Sequence, residues 1–271
     1  MLHEFSYLAP RERKDLLQLL KKHSSQARLL AGGTDLLCEI RLGTDRPEVL
    51  IDVKNIAEFR GIAFSEQDGL AVGAAVTCVE LMEHPVVRKR FPLLAHAAGQ
   101  IGSAQLRNRA TIGGNLCTAS PCADLGCSSL VLGARVELVS ARGTRVIPMK
   151  DFFTGVKATQ LKDDEAVQRV FYPVVAAGAK WGMEKLKRIK GHDLAVVSVA
   201  IARTTQWLRV GIGSCAPTPV VAADLPPNAS VKAVTEAALK AIDPIDDVRA
   251  SREFRLAMVQ EFIAKLLPAL S

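Results

Sequence analysis

The sequence predicts an α+β fold in two parts, and three observations lead to it. Helical and extended signals alternate through the first half of the chain, the character of the sequence changes after Pro173, and beyond that point strand candidates are followed by helices. Strands and then helices suggest a small α+β domain in which the helices cover an antiparallel sheet. A chain of 271 residues can bury a sizeable core, as one elaborate domain or two smaller ones.

Residues 10–22 place Leu16, Leu17, Leu19 and Leu20 on one side of a helix with charges opposite. A strand over 28–30 runs into Ala31-Gly32-Gly33, 49–53 reads as a second strand and 70–74 as a third. Thr77 and Glu80 form a capping box that opens a short helix before Pro85, and 86–99 read as a further helix. Ser120 as N-cap, with Pro121 at the first helical position, starts a helix that runs through Leu132 and stops at Gly133. Residues 136–139 and 145–147 flank a hairpin turn at Ala141-Arg142-Gly143-Thr144. After a linker or surface loop at 176–179 come strands at 183–188, 194–202 and 207–212, then helices at about 230–241 and 251–267. There is no internal repeat and no low-complexity segment.

Hydrophobic residues at 49% and charged residues at 23% are an ordinary globular balance, and no run approaches the roughly 20 apolar residues of a membrane helix. The first residues, MLHEFSYLAPRERK, have no apolar core and no cleavage site, so a cytoplasmic location is expected. A net charge of +7 raises nucleic acid as a partner, but the basic runs at 11–14 and 185–190 lack interleaved aromatics. A solvated surface, or a patch meeting an acidic partner protein, is the better reading. The six cysteines form no CxxC pair and read as reduced thiols. Cys117, Cys122 and Cys127 recur every five residues, a spacing that matches no familiar zinc or ferredoxin run, so they read as small, semi-buried residues around a loop and helix start.

Two segments carry the chemistry. In the first, Leu29-Leu30-Ala31-Gly32-Gly33-Thr34-Asp35-Leu36, paired glycines let the backbone turn and approach a ligand, and the exposed N–H groups suit a phosphate. An ordinary tight turn is the plainer alternative. The second runs from Arg107 through Gly113-Gly114 to Asp124 and sets Thr111, Asn115, Thr118, Ser120 and Asp124 at short intervals, able to bond phosphate oxygens or sugar hydroxyls. A helix opening at Pro121 would add its dipole. Two such loops, about eighty residues apart, could grip one extended dinucleotide from both sides. A third string, Gly211-Ile212-Gly213-Ser214-Cys215-Ala216, fits the GxGxxA pattern but is rejected, because Pro217 and Pro219 forbid the helix that would receive a pyrophosphate.

The two glycine loops, together with Ala119-Ser120-Pro121 and Asp124, resemble the FAD-binding subunit of the xanthine dehydrogenase and carbon monoxide dehydrogenase family. Lys185, Arg188, Asp193 and Ala195 match its Lys-x-x-Arg and Asp-x-Ala pattern, and Ala216-Pro217-Thr218-Pro219 and residues 243–251 are similar to its C-terminal domain. The resemblance implies a two-part FAD-binding domain of the vanillyl-alcohol-oxidase (PCMH) type over 1–174, with subdomains of about 1–56 and 57–174. A C-terminal α+β domain with an antiparallel sheet would follow over 175–271.

It also implies that Leu29, Leu30, Ala31, Gly32, Gly33, Thr34, Asp35 and Leu36 surround the FAD pyrophosphate. Thr111, Gly114, Asn115, Thr118, Ser120 and Asp124 would contact pyrophosphate, ribityl or adenosine groups. Lys185, Asp193 and Leu194 would lie along the flavin, which Ile101 would also approach. FAD would be non-covalent, since neither loop contains His, and Met183 stands where relatives often carry an aromatic. The implied function is electron relay from a separate [2Fe-2S] small subunit to NAD+ or another acceptor, beside a molybdopterin-binding large subunit in a dimer of heterotrimers. No catalytic acid or base and no metal are expected in this chain. The alternatives are a free-standing FAD-dependent oxidoreductase of the same superfamily and a flavin-free nucleotide-binding module.

Overall fold

Very short strands open the chain and pair in parallel. In the computed structural model, which describes residues 3–270, these are β1 (Ser6–Leu8), β2 (Ala27–Leu30) and β3 (Val49–Asp52), with α1 (Arg13–His23) and α2 (Leu36–Leu42) between them. The sheet order is β1-β3-β2, and the central β3 is buried throughout, as a covered parallel strand should be. Leu16 and Leu20 of α1 are buried and Leu17 and Leu19 half-buried, so the predicted apolar face is the packed one.

A second layer follows from β4 (Ile62–Ser65) and β5 (Gly69–Gly73) through α3 (Cys78–Glu83), α4 (Pro85–Arg90), α5 (Pro92–Gly99), α6 (Ala104–Arg107), α7 (Ile112–Thr118) and α8 (Asp124–Val131). It closes with β6 (Arg135–Ser140), β7 (Gly143–Pro148), α9 (Met149–Phe152), β8 (Phe153–Gly155), β9 (Ala158–Thr159) and β10 (Ala166–Tyr172). Five strands form an antiparallel sheet in the order β4-β5-β10-β6-β7. The capping box is present: the Glu80 N–H donates to Thr77 Oγ1 (3.3 Å) and the Thr77 N–H donates to Glu80 Oε2 (2.8 Å). The hairpin at 140–143 is also as expected.

Two sequence expectations are corrected. The single helix over 86–99 is two, because Pro92 has no N–H to continue α4 and instead opens α5 at its first position. Ser120 is not a helix N-cap and Pro121 is not a first helical residue: α8 begins at Asp124 with Ala123 as its N-cap. Ala119 adopts a left-handed conformation (φ 47°), and Ser120 spends its side chain on a turn, accepting from the Cys122 N–H at 3.2 Å. The Ala123 N–H closes that turn on the Ser120 carbonyl at 3.0 Å.

The last part comprises β11 (Lys180–Leu186), β12 (Val197–Arg203), β13 (Leu208–Gly213), β14 (Val220–Leu225), α10 (Val231–Lys240) and α11 (Arg252–Ala269). Its four strands form an antiparallel sheet in sequence order, and its apolar residues make a core with both helices. The fold is therefore α+β, as the residues predict. The rejected third glycine string begins at the end of β13, and Gly211 serves close packing: a Cβ there would stand 2.8 Å from the Cys127 carbonyl oxygen and 2.6 Å from a Val131 methyl of α8. Every residue of α8 is buried, because it lies between the helical layer and this sheet.

Candidate functional site

The two glycine segments meet. A Cβ on Gly32 would stand 2.1 Å from the Arg109 carbonyl oxygen and 3.0 Å from the Ala110 Cα, so the first loop lies directly on the backbone that leads into the second. Only glycine permits that approach. Gly33 has φ +74°, and the backbone N–H groups of Gly32, Gly33, Thr34 and Asp35 donate to no backbone acceptor among the described residues. Thr118 Oγ1 donates to Asp35 Oδ2 across the seam at 3.1 Å. Leu29 and Leu30 end β2 and aim the turn, while Leu36 starts α2 behind it.

The second segment is more helical than its glycines suggest. Thr111 is buried and caps α7, its Oγ1 accepting from the Gly114 N–H at 3.0 Å. Gly113 fits beneath because a Cβ would strike Ala74 at 2.6 Å. Asn115 and Thr118 then lie on α7, one turn apart. Asn115 Oδ1 is buried without a hydrogen-bond partner among the described residues.

Asp124 and Lys185 join the two halves of the molecule. Lys185 Nζ stands 2.7 Å from Asp124 Oδ2, with the two side chains 4% and 7% exposed, and it also donates to the Gln100 carbonyl at 3.1 Å. Ile101, next to Gln100, is half-buried against the core. Burial lifts the Asp124 carboxyl to about 6, opposed by the neighbouring Lys185 charge. Asp124 Oδ1 is also buried without a hydrogen-bond partner among the described residues. The buried oxygens of Asn115 and Asp124 and the backbone amides of 32–35, all open among the described residues, suit a ligand that offers both anionic oxygens and hydroxyl donors.

Trp181, Met183 and Lys185 alternate along β11 and so share one face. Trp181 packs on the His96 ring at 5.5 Å, and Met183 is buried. Asp193 lies before β12, where it pairs with Arg188 and accepts from the Leu194 N–H at 2.8 Å; Leu194 itself is exposed. The following carbonyl, that of Ala195, reaches Cys122. The Cys122–Ala195 contact thus sets the segment between Ser120 and Asp124 against the one that follows Asp193 and Leu194. The sequence did not mark Gln100, whose carbonyl binds Lys185, or Arg249, which donates to Cys122 Sγ at 2.9 Å. A backbone acceptor leaves no signal in residue identity, and Arg249 is 127 positions from its partner. Among the described residues, no group of three or more His, Cys, Asp or Glu is placed to hold a metal ion.

Residues 3–175 match the family described as the FAD binding domain in molybdopterin dehydrogenase, and residues 182–270 match the CO dehydrogenase flavoprotein C-terminal domain. The chain is 33% identical over 267 residues to the xanthine dehydrogenase FAD-binding subunit of Escherichia coli O157:H7, covering 93% of this chain and 91% of that one. It is likewise 33% identical over 277 residues to the carbon monoxide dehydrogenase medium chain of Hydrogenophaga pseudoflava, covering 98% and 96%. A solved structure of carbon monoxide dehydrogenase from that organism superposes with a TM-score of 0.93 at 33% identity, over 100% of this chain and 98% of that one. Quinoline 2-oxidoreductase from Pseudomonas putida 86 superposes at 0.91 with 27% identity, over 100% and 98%.

Proposed function

The chain belongs to the FAD-binding subunits of the xanthine and carbon monoxide dehydrogenase family, and from that membership we propose that it relays electrons from a [2Fe-2S] subunit, through non-covalently bound FAD, to NAD+ or another external acceptor. In this reading a third, large subunit carries molybdopterin, and the assembly is a cytoplasmic dimer of heterotrimers. No described helix is long and apolar enough to cross a membrane. The flavin, when bound, supplies the passage between one-electron and two-electron chemistry, and the protein positions and tunes it.

The observation that carries the reading is the contact of Gly32 with the Arg109–Ala110 backbone, which makes one cradle of two glycine segments. The free amides of Gly32, Gly33, Thr34 and Asp35 would hold the pyrophosphate. Thr111 and Gly114 would support that grip through the α7 cap. The open oxygens of Asn115 and Asp124 would take ribityl or ribose hydroxyls, with Thr118 and Ser120 beside them. Lys185, Asp193, Leu194 and Ile101 would border the ring, with Lys185 supplying a fixed cation beside it. No side chain is assigned as acid or base. With no His in either glycine segment, the flavin would be held by contacts alone.

The visible spectrum of the purified chain, taken before and after acid precipitation, tests the proposal alongside thermal shift with FAD and with FMN. Flavin bands that pass into the supernatant, and stabilisation by FAD but not FMN, are expected. A colourless chain that FAD does not stabilise would end the relay reading.

A further inference from the structure

The segment Asp247-Val248-Arg249 takes no part in the cradle, yet its side chains reach it. Arg249 Nη1 donates to Cys122 Sγ at 2.9 Å and to the Ala195 carbonyl at 3.3 Å. Cys122 also donates to that carbonyl, at 3.6 Å. Asp247 fixes the guanidinium by accepting from its Nε at 3.0 Å and its Nη2 at 2.6 Å. Asp247 is fixed in turn by Arg255 Nη2 at 2.6 Å, and Arg255 Nη1 binds the carbonyls of Val196 and Ser214 from within the core. The chain of contacts therefore runs from the buried face of α11 to a single thiol between Ser120 and Asp124.

We propose that Arg249 is a positioning residue for the cofactor: it holds Ser120 and Asp124, on either side of Cys122, in register with Asp193 and Leu194, just before Ala195. These two pairs come from opposite halves of the molecule, and a planar guanidinium with two donors aimed outward is suited to fixing their separation. Lys185 ties the same halves by charge, but at a different point, through Asp124 and Gln100. The inference rests on the FAD reading above.

The test uses the full chain with Arg249→Met and Arg249→Lys, read by FAD titration and by iodoacetamide labelling of Cys122 followed by mass spectrometry. Loss of a charge-assisted contact at each segment should weaken FAD binding about tenfold in the Met variant, with partial recovery in Lys. Cys122, only 7% exposed, should label faster in the Met variant, with exposed Cys38 as the unchanged reference. Wild-type FAD affinity in Arg249→Met, or no recovery in Arg249→Lys, overturns the proposal. If the wild type binds no FAD, the relay reading fails instead, and unchanged Cys122 labelling in Arg249→Met would still refute the clamp. Should Arg249→Met not fold, Cys122→Ala removes only the sulfur acceptor and must also weaken FAD binding for the proposal to stand.

Discussion

Lys185 on β11 and Asp124 at the head of α8 form an ion pair 2.7 Å long, 61 residues apart in sequence and almost wholly enclosed. Burial lifts the Asp124 carboxyl from 3.8 to about 6 despite that partner. In the window between about 4 and 6, the folded chain keeps a proton that the unfolded chain has released, so this group's contribution to stability falls as pH rises and is level on either side. The loss across the window is at most about 3 kcal/mol. Thermal unfolding of the cofactor-free chain from pH 4 to 7 should show the decline, and Asp124→Asn should remove it. A decline that persists in the Asn variant would assign it to another group.

Gly32→Ala should separate the two glycine segments. The new methyl would meet backbone rather than a movable side chain, so the loops themselves must shift. Overpacking of that kind costs about 1–3 kcal/mol. FAD titration should show a larger loss of affinity than for Gly155→Ala, where the nearest heavy atom to the added carbon is 3.8 Å away. Equal affinities would mean that the seam is not part of the cofactor site.

Thr118→Val removes the hydroxyl that bridges α7 to Asp35 while keeping its shape. A partly exposed bond of this kind contributes about 0.5–1.5 kcal/mol. A fall in Tm of about 2–4 °C should be seen by calorimetry. No change would show that solvent replaces the bond fully.

Arg255→Met should be the most damaging of these substitutions. Its side chain is 1% exposed, and its guanidinium serves two carbonyls and Asp247. Removing one partner from a buried charged network costs about 3–5 kcal/mol. Urea unfolding of wild type and variant measures it directly, and a difference below about 1 kcal/mol would place the charge in solvent.

Local chemistry made part of this architecture legible in the residues, and contacts between distant segments did not. The Thr77–Glu80 cap and the 140–143 hairpin depend on neighbours three positions apart, and both were readable. Ser120-Pro121 misleads because a left-handed Ala119 diverts the chain into one more turn before α8. α7 looks like a loop in the residues because its first turn contains two glycines, and its formation depends on the Thr111 cap and on packing against Ala74. β10 carries little strand signal in its residues although it is the centre of its sheet, because a buried polar residue, Gln168, and a half-buried Arg169 interrupt its apolar run. Of the site, the glycine segments were visible from their composition. Their contact at Gly32 arises only when the first two layers of the chain pack, and the pairing of Lys185 with Asp124 only when the last part docks on them.

Gly211 turns that docking into an adjustable dimension. Its missing side chain sets how closely β13 rides over α8, and Lys185 sits two strands away in the same sheet. A methyl added at Gly211 would work as a shim under that sheet, changing the height of the lysine above Asp124 without touching either residue. The spacing of that seam is in this sense set from outside it, by a position whose side-chain contribution is the volume it leaves empty.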